Sequence, residues 1–413
     1  MGNVMKIAGR NLLRYRRRTA LTLMLISLGI VAVLLFVSVA GSFRALMVGQ
    51  ITDSMLGHVQ VHKRGYVASI DNLPLNLNMP PQMLDKLDAA LADIDGIEAV
   101  SKRLKFGAMF SNFTETTNIR LNAVVPADEM AAAPLLKGRL LEGDGAELIA
   151  PGKILIPELL AKGMKVGLND EVVLVATNQD GSVNGRAFSV GGILGSVTGP
   201  GGRDGYIHID DARQLLRIPD AQISEVVLRL KDPGRVEEVG AMLKSALAEV
   251  KTKNGEAALE IHPWMDLTPF YNIARMIDML TLFIQVMLVS IVLISVMNVM
   301  MMAVYERIRE IGAIAAIGTR PGTILSLFVT EGFLMGVLGS AVGTVISLVV
   351  IVVLNNVKIS FAFGREILVL EPTIDAATVI VACATVIVMS VLASLQPAWK
   401  AARMDPIDAL RHV

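Results

Sequence analysis

The sequence predicts an α-helical membrane protein with four transmembrane helices and a large α+β extracytoplasmic domain carried on helical stalks. Three observations predict it. The chain is 53% hydrophobic, with a mean hydropathy of +0.57. That is too apolar for an ordinary soluble protein and too polar for one lying wholly in a bilayer. Four apolar runs, Thr19–Ala40, Leu280–Val304, Ile324–Leu354 and Ile374–Leu395, reach the about 20 residues a spanning helix needs. Between the first two lie roughly 240 residues of ordinary polar composition, enough to bury a core of their own.

Charge sets the orientation. Lys6, Arg10, Arg14, Arg16, Arg17 and Arg18 precede the first span with no acid among them, and such an excess marks a cytoplasmic end. Four spans then place both termini and residues 305–322 inside. Residues 42–278 hold 24 basic and 30 acidic residues and fall outside. Basic residues gathered at span ends are accounted for by the membrane, so nothing points to nucleic acid.

In order, residues 1–18 read as a basic helix on the inner surface, with arginine stems in the interface and heads toward lipid phosphates. Residues 19–40 form the first span, too long an apolar run for a signal-peptide core. From 41 to 278 runs the extracytoplasmic domain. Gly41–Leu56 continues the first span as a stalk. Gly57–Gly65 alternates Val59 and Val61 with His58, Gln60 and His62, a half-buried strand whose histidines face solvent. Gln82–Ile94 is a helix with Leu84, Leu87, Leu91 and Ile94 inward. Strands follow at Val100–Phe110, Asn118–Val125, Glu171–Ala176, Ala187–Leu194, Tyr206–Ile209, Ser224–Leu230 and Ala257–Ile261. Helices are expected at Glu158–Lys162, Asp210–Leu216 and Gly234–Val250. The irregular alternation suits an α+β domain. Pro263–Asp278 is a second stalk into the second span, 279–304. A charged loop, 305–322, precedes the third span, 323–354. An outer loop, 355–373, turns as a hairpin at Gly364-Arg365. The last span, 374–395, ends at Pro397, and 396–413 is a cytoplasmic tail. Cys383 is the single cysteine, so the external domain has no disulfide.

The stretch Tyr305–Gly322, YERIREIGAIAAIGTRPG, is a short amphipathic helix with Ile308, Ile311, Ile314/Ala315 and Gly318 on one face and Gly318 as its C-terminal stop. The third run carries Gly332-xxx-Gly336 and Gly339-xxx-Gly343, pairs that let helices approach closely in lipid. They suit packing within one chain or a seam between two. Glu331 lies inside this run, where an acid is costly.

E-R-x-R-E-I-G-x-x-x-A-I-G at Glu306–Gly318 resembles the signature of the FtsX/MacB/LolC-LolE-type ABC transporter permeases, the mechanotransmission class. Asn298-Val299-Met300, F-x-x-E-G-x-x-x-G-x-x-G from Phe328 to Gly339, and Q-P-A-x-x-A-A-x-x-x-P-x-x-A-L-R from Gln396 to Arg411 extend the resemblance over the last third of the chain. The resemblance implies a porter-like subdomain, 57–130 with 205–262, and a β-rich insertion, 131–204. It implies that 305–322 is a coupling helix meeting an ATPase dimer through Glu306, Arg307, Arg309, Glu310, Ile311, Gly312, Ile317 and Gly318. Glu331 is then a structural hydrogen-bond partner, not a proton carrier. Gly332, Gly336, Gly339 and Gly343 pack the spans or form the seam with a second permease, a copy or a paralogue. The location implied is the bacterial inner membrane.

No phosphate-binding loop G-x-x-x-x-G-K-[ST], zinc spacing or H-E-x-x-H occurs, so no catalytic, cofactor or metal residue is assigned, and ATP and Mg are expected in a partner ATPase. Gly199–Gly205 reads as a flexible loop. Two function classes stand. One is a permease that moves or extracts lipoproteins, lipids or amphiphiles, with a membrane-fusion protein and outer-membrane channel, or a lipoprotein carrier, as further partners. The other is a non-transporting relay that activates an external cell-wall hydrolase. The external part, over 230 residues, favours transport.

Overall fold

The computed structural model describes every residue except Met1, 144–148, 196–202, 219–220, 253, 364–365, 406–408 and 410–413. From the N-terminus, α1 (Gly2–Arg14) leads to α2 (Arg16–Ile51), then β1 (Val59–Lys63), α3 (Pro81–Ala92), β2 (Ile97–Ser111), β3 (Thr116–Val124) and α4 (Pro126–Ala132). Next come β4 (Leu140–Gly143), β5 (Lys153–Pro157), α5 (Glu158–Met164), β6 (Glu171–Thr177), β7 (Val183–Leu194), β8 (Gly205–His208) and α6 (Ile209–Leu216). β9 (Glu225–Leu230), α7 (Val236–Ala246), β10 (Leu259–Pro263) and α8 (Trp264–Leu267) follow. The rest is α9 (Phe270–Glu306), α10 (Ile308–Ala316), α11 (Pro321–Val357), β11 (Ile359–Phe363), β12 (Glu366–Leu370) and α12 (Ala376–Ala402). The chain divides into a helical unit, 1–46 with 275–413, and an α+β unit, 47–274.

In the helical unit α2, α9, α11 and α12 are each long and apolar enough to cross a membrane. α9 and α11, at 37 residues each, are about 55 Å long at 1.5 Å per residue, well beyond the roughly 30 Å of hydrocarbon. Pro397 does not end the last helix: α12 runs through it to Ala402. Proline removes one ladder hydrogen bond, a loss that spanning helices tolerate when neighbours pack the site, and Pro397 is buried. Asp375 caps α12 by accepting from the Thr378 N–H. The expected hairpin is present as antiparallel β11 and β12, its turn lying outside the described residues.

The small residues of α11 explain the bundle. A Cβ on Gly332 would lie 2.6 Å from Ser394 Cβ of α12, and one on Gly343 would lie 2.8 Å from Ile30 Cβ of α2. Gly336 faces Ser390 and Gly339 faces Ile26 in the same way. Both small-xxx-small pairs are therefore consumed by helices of the same chain.

In the α+β unit, β10-β1-β9-β2 form an antiparallel sheet. α3 and α7 cover it with Leu84, Leu87, Leu91, Val239 and Leu243. β2 is long enough to serve twice. Its first half pairs with β9 and its second half with β3 and β6. β3 pairs with β8, β8 with β5, β5 with β7 and β7 with β6, so six strands close into a barrel. Leu104, Phe106, Ala108 and Phe110 of β2 fill it with Leu121, Leu174 and Phe188. The barrel thus takes in β2 from Leu104 onward, β3 and β8 together with strands within 131–204. The glycine cluster from Gly199 lies mostly outside the described residues.

Candidate functional site

At one end of the helical unit the chain breaks between α9 and α10 at Arg307 (φ −109°, ψ 16°). α10 stops at Gly318, whose φ of +91° suits glycine. Pro321 then opens α11 as its first residue. The break turns Arg307 inward, to 4% exposure, and Glu331 of α11 is fully buried. Arg307 Nη1 donates to Glu331 Oε1 at 3.0 Å, and Asn11 Nδ2 of α1 donates to the same oxygen at 2.8 Å. Arg18 lies 3.9 Å from the other oxygen. The Arg307 guanidinium stacks on the Tyr15 ring at 4.1 Å. A buried acid is thus hydrogen-bonded by Asn11 and Arg307 and faced by a second cation, Arg18, the compensation that a buried charge requires.

The surface pairing available to Arg307 and Glu310 in the sequence does not form. Glu310 takes Tyr15 Oη at 3.2 Å and lies 3.6 Å from Arg14. Glu306, at the end of α9, lies 3.7 Å from Arg18. Arg309 is exposed, Ile311 and Gly312 are buried, and Ile317 is 84% exposed. The predicted set therefore splits. Arg307, Ile311 and Gly312 face the bundle, Glu306 and Glu310 meet α1 and α2, and Arg309 and Ile317 are exposed. Asn11, Arg14, Tyr15 and Arg18 join the site unannounced. The basic run before the first span was their one visible signal, and Asn11 had none.

The α+β unit holds a second buried charge cluster. Arg103 of β2 donates through Nε and Nη2 to both oxygens of Glu129 at 2.8 and 2.7 Å. Its Nη1 donates to Met55 O at 2.6 Å and to Glu225 at 3.1 Å. Glu225 also meets Lys105 at 3.1 Å and His62 at 3.5 Å. Burial alone would raise the Glu225 pKa; Lys105, Arg103 and His62 outweigh it and hold the carboxyl well below its usual range. Burial pushes the neighbouring Tyr206 phenol up to about 12. The expectation that the His58, Gln60 and His62 face is solvated is corrected: all three are under 5% exposed, because β1 is central, between β10 and β9. His58 Nδ1 accepts from the Leu230 N–H at 2.9 Å, and His62 stacks on Tyr66 at 5.3 Å. Among the described residues no group of three or more His, Cys, Asp or Glu is placed to hold a metal ion.

Residues 19–246 match the model of the MacB-like periplasmic core domain, and residues 282–406 that of the FtsX-like permease C-terminal domain. Macrolide export ATP-binding/permease protein MacB 1 of Aeromonas hydrophila is 40% identical over 119 residues, 29% of this chain and 17% of that one. Pyoverdine export ATP-binding/permease protein PvdT of Pseudomonas syringae pv. tomato is 31% identical over 230 residues, 54% of this chain and 33% of that one. These matches span a third or less of each relative's length. The periplasmic region of MacB from Actinobacillus actinomycetemcomitans aligns with 50% of this chain and 90% of its own at 12% identity and a TM-score of 0.34. The extracellular domain of the transporter YknZ from Gram-positive bacteria aligns with 50% of this chain at 14% identity and the same TM-score, 0.34.

Proposed function

Because the chain belongs to the family that joins a MacB-like periplasmic core domain to an FtsX-like permease domain, we propose that it is the permease part of an ABC exporter driven by ATP-binding subunits that dock on α10. The observation that supports this is the division of α10 into two faces. Ile317 is 84% exposed and Ile311 is 5% exposed, while Arg307, at the start of the helix, is tied to Glu331 of α11 and to the Tyr15 ring between α1 and α2. A large apolar side chain at a bundle tip suits a protein cleft. A helix locked on its inner side transmits a push instead of bending. In this reading ATP and Mg are held by the docking subunits. Two permease chains assemble in the bacterial inner membrane with both termini cytoplasmic. The α+β unit handles a lipoprotein, lipid or amphiphile outside, with a fusion protein and outer-membrane channel, or a carrier, as further partners. The relatives' names specify macrolide export and pyoverdine export.

The test is Arg309→Ala with Ile317→Asp. Membrane insertion should be unchanged, since both residues are exposed. Co-purification with co-expressed ATP-binding subunits, and their stimulated ATP turnover, should fall at least about tenfold, the factor that about 1.4 kcal/mol produces. Full coupling in the double variant would place the docking surface elsewhere.

A further inference from the structure

A cleft of about 660 Å³ opens between α1, α10 and the start of α11. Ile7, Ile311, Ile314, Ile324, Leu327 and Phe328 make its wall mostly apolar. Arg14, Arg307, Thr319 and Thr323 make one part polar. Arg307 is 4% exposed. Its Nη1 is taken by Glu331, yet Nε and Nη2 are buried without a hydrogen-bond partner. A guanidinium has five N–H donors and leaves them unmet only at a cost. Thr319 and Thr323 flank the first turn of α11, where no side chain caps the helix, so the end of a 37-residue helix adds partial positive charge. Glu310, on the same wall, is held by Tyr15 and Arg14.

We propose that this cleft binds one anionic phospholipid from the leaflet that meets α1 and α10. The phosphate sits among Arg14, Arg307, Thr319 and Thr323, and an acyl chain lies along the isoleucines and Phe328. Three observations select a lipid. The wall is apolar beyond what a lone anion needs. Residues 1–18 and 305–322 hold nine basic and two acidic residues, the composition that draws anionic lipid. And α1 leaves Met5, Ile7 and Leu13 at 57%, 50% and 69% exposure, apolar side chains suited to lying in an interface, with Ile7 itself lining the cleft. Because the cleft touches both α1 and α10, a bound lipid would brace the coupling helix against the amphipathic helix. The proposal stands on the spanning helices and does not require the ATPase reading.

The experiment uses the full chain, delipidated in detergent and titrated with dihexanoyl-phosphatidylglycerol, dihexanoyl-phosphatidylcholine or inorganic phosphate, with binding read by calorimetry. Saturable phosphatidylglycerol binding, at least about tenfold tighter than phosphatidylcholine, is expected. Arg14→Gln should weaken it about fivefold, the share of one surface arginine. Ile314→Trp, at a side chain already 40% exposed, should abolish it by filling the cleft without disturbing the fold. Equal binding of both lipids, displacement by inorganic phosphate alone, or unchanged binding in Ile314→Trp would each overturn the proposal. So would an Arg14→Gln chain that loses its ATP-binding partner but keeps its lipid, since that marks the cleft as a protein-docking site.

Discussion

Removing the Glu331 carboxylate tests the central pair of the helical unit. Glu331→Leu takes away a fully buried anion on which Arg307 at 3.0 Å and Asn11 at 2.8 Å converge. Arg307 is then a buried cation with no counter-charge, since Arg18 beside it has the same sign. Breaking a buried pair from one side costs about 3–5 kcal/mol. Replacing both partners by apolar residues of similar volume is often neutral or better. Arg307→Met with Glu331→Leu should therefore recover most of the loss, with an interaction energy of at least about 2 kcal/mol. Trp399 fluorescence reports on this unit, and Trp264→Phe as the common background silences the α+β unit. Unfolding in mixed micelles then gives the four free energies. If Glu331→Leu lay within about 1 kcal/mol of the parent, or if the double variant were no better than the single one, the pair would not hold α9, α10 and α11 together.

Three further outcomes follow from the packing. Gly343→Val should destabilise the bundle by about 1–3 kcal/mol, the usual cost of overpacking, because a Cβ there meets Ile30 Cβ and Ser27 O at 2.8 Å; thermal melting in detergent measures it. Residues 47–274 expressed alone should be soluble and folded, since the hydrophobic clusters of this unit close within it; circular dichroism and size-exclusion chromatography decide it, and a product that is insoluble whatever its exact ends would contradict it. That fragment should keep constant stability from pH 8 to about 6.5 and lose it below. His58 and His262 are held below the ordinary 6.5, mainly by burial, so the unfolded chain takes up protons first as pH falls through that value. Glu225, held low by its cations, adds stability that is complete above about 4.3 and drains away at lower pH. Melting temperature against pH measures both windows, and a flat profile from pH 8 to 4 would refute the buried-histidine account.

The sequence made the spans, the stalk continuing α2 and most strands of the α+β unit legible, because hydrophobic period and length set each of them locally. Leu84, Leu87 and Leu91 fell on the inward face as their spacing requires. What it could not show was pairing order. β2 reads as one ordinary strand, yet its fifteen residues belong to a sheet in one half and a barrel in the other, and no local pattern marks the handover at Leu104. His58 and His62 were misplaced for a related reason. Alternation identifies two faces of a strand, but it does not say whether the polar face meets water or, as here, a buried Glu225 and Tyr66.

The charged stretch after α9 shows a different limit. One helical period laid from Tyr305 to Gly318 places Arg307 and Glu310 on the surface as neighbours. The break at Arg307 restarts the phase, so residues before it follow α9 and residues after it follow α10. Arg307 belongs to neither helical face and drops onto Glu331 and the Tyr15 ring. The cause is not local to the stretch. Glu331, 24 residues on, is too costly to bury without a cation, and Arg307 is a cation free of helical constraint within its reach. The acid in the third span and the break before α10 are thus one feature, joined by the Arg307–Glu331 hydrogen bond.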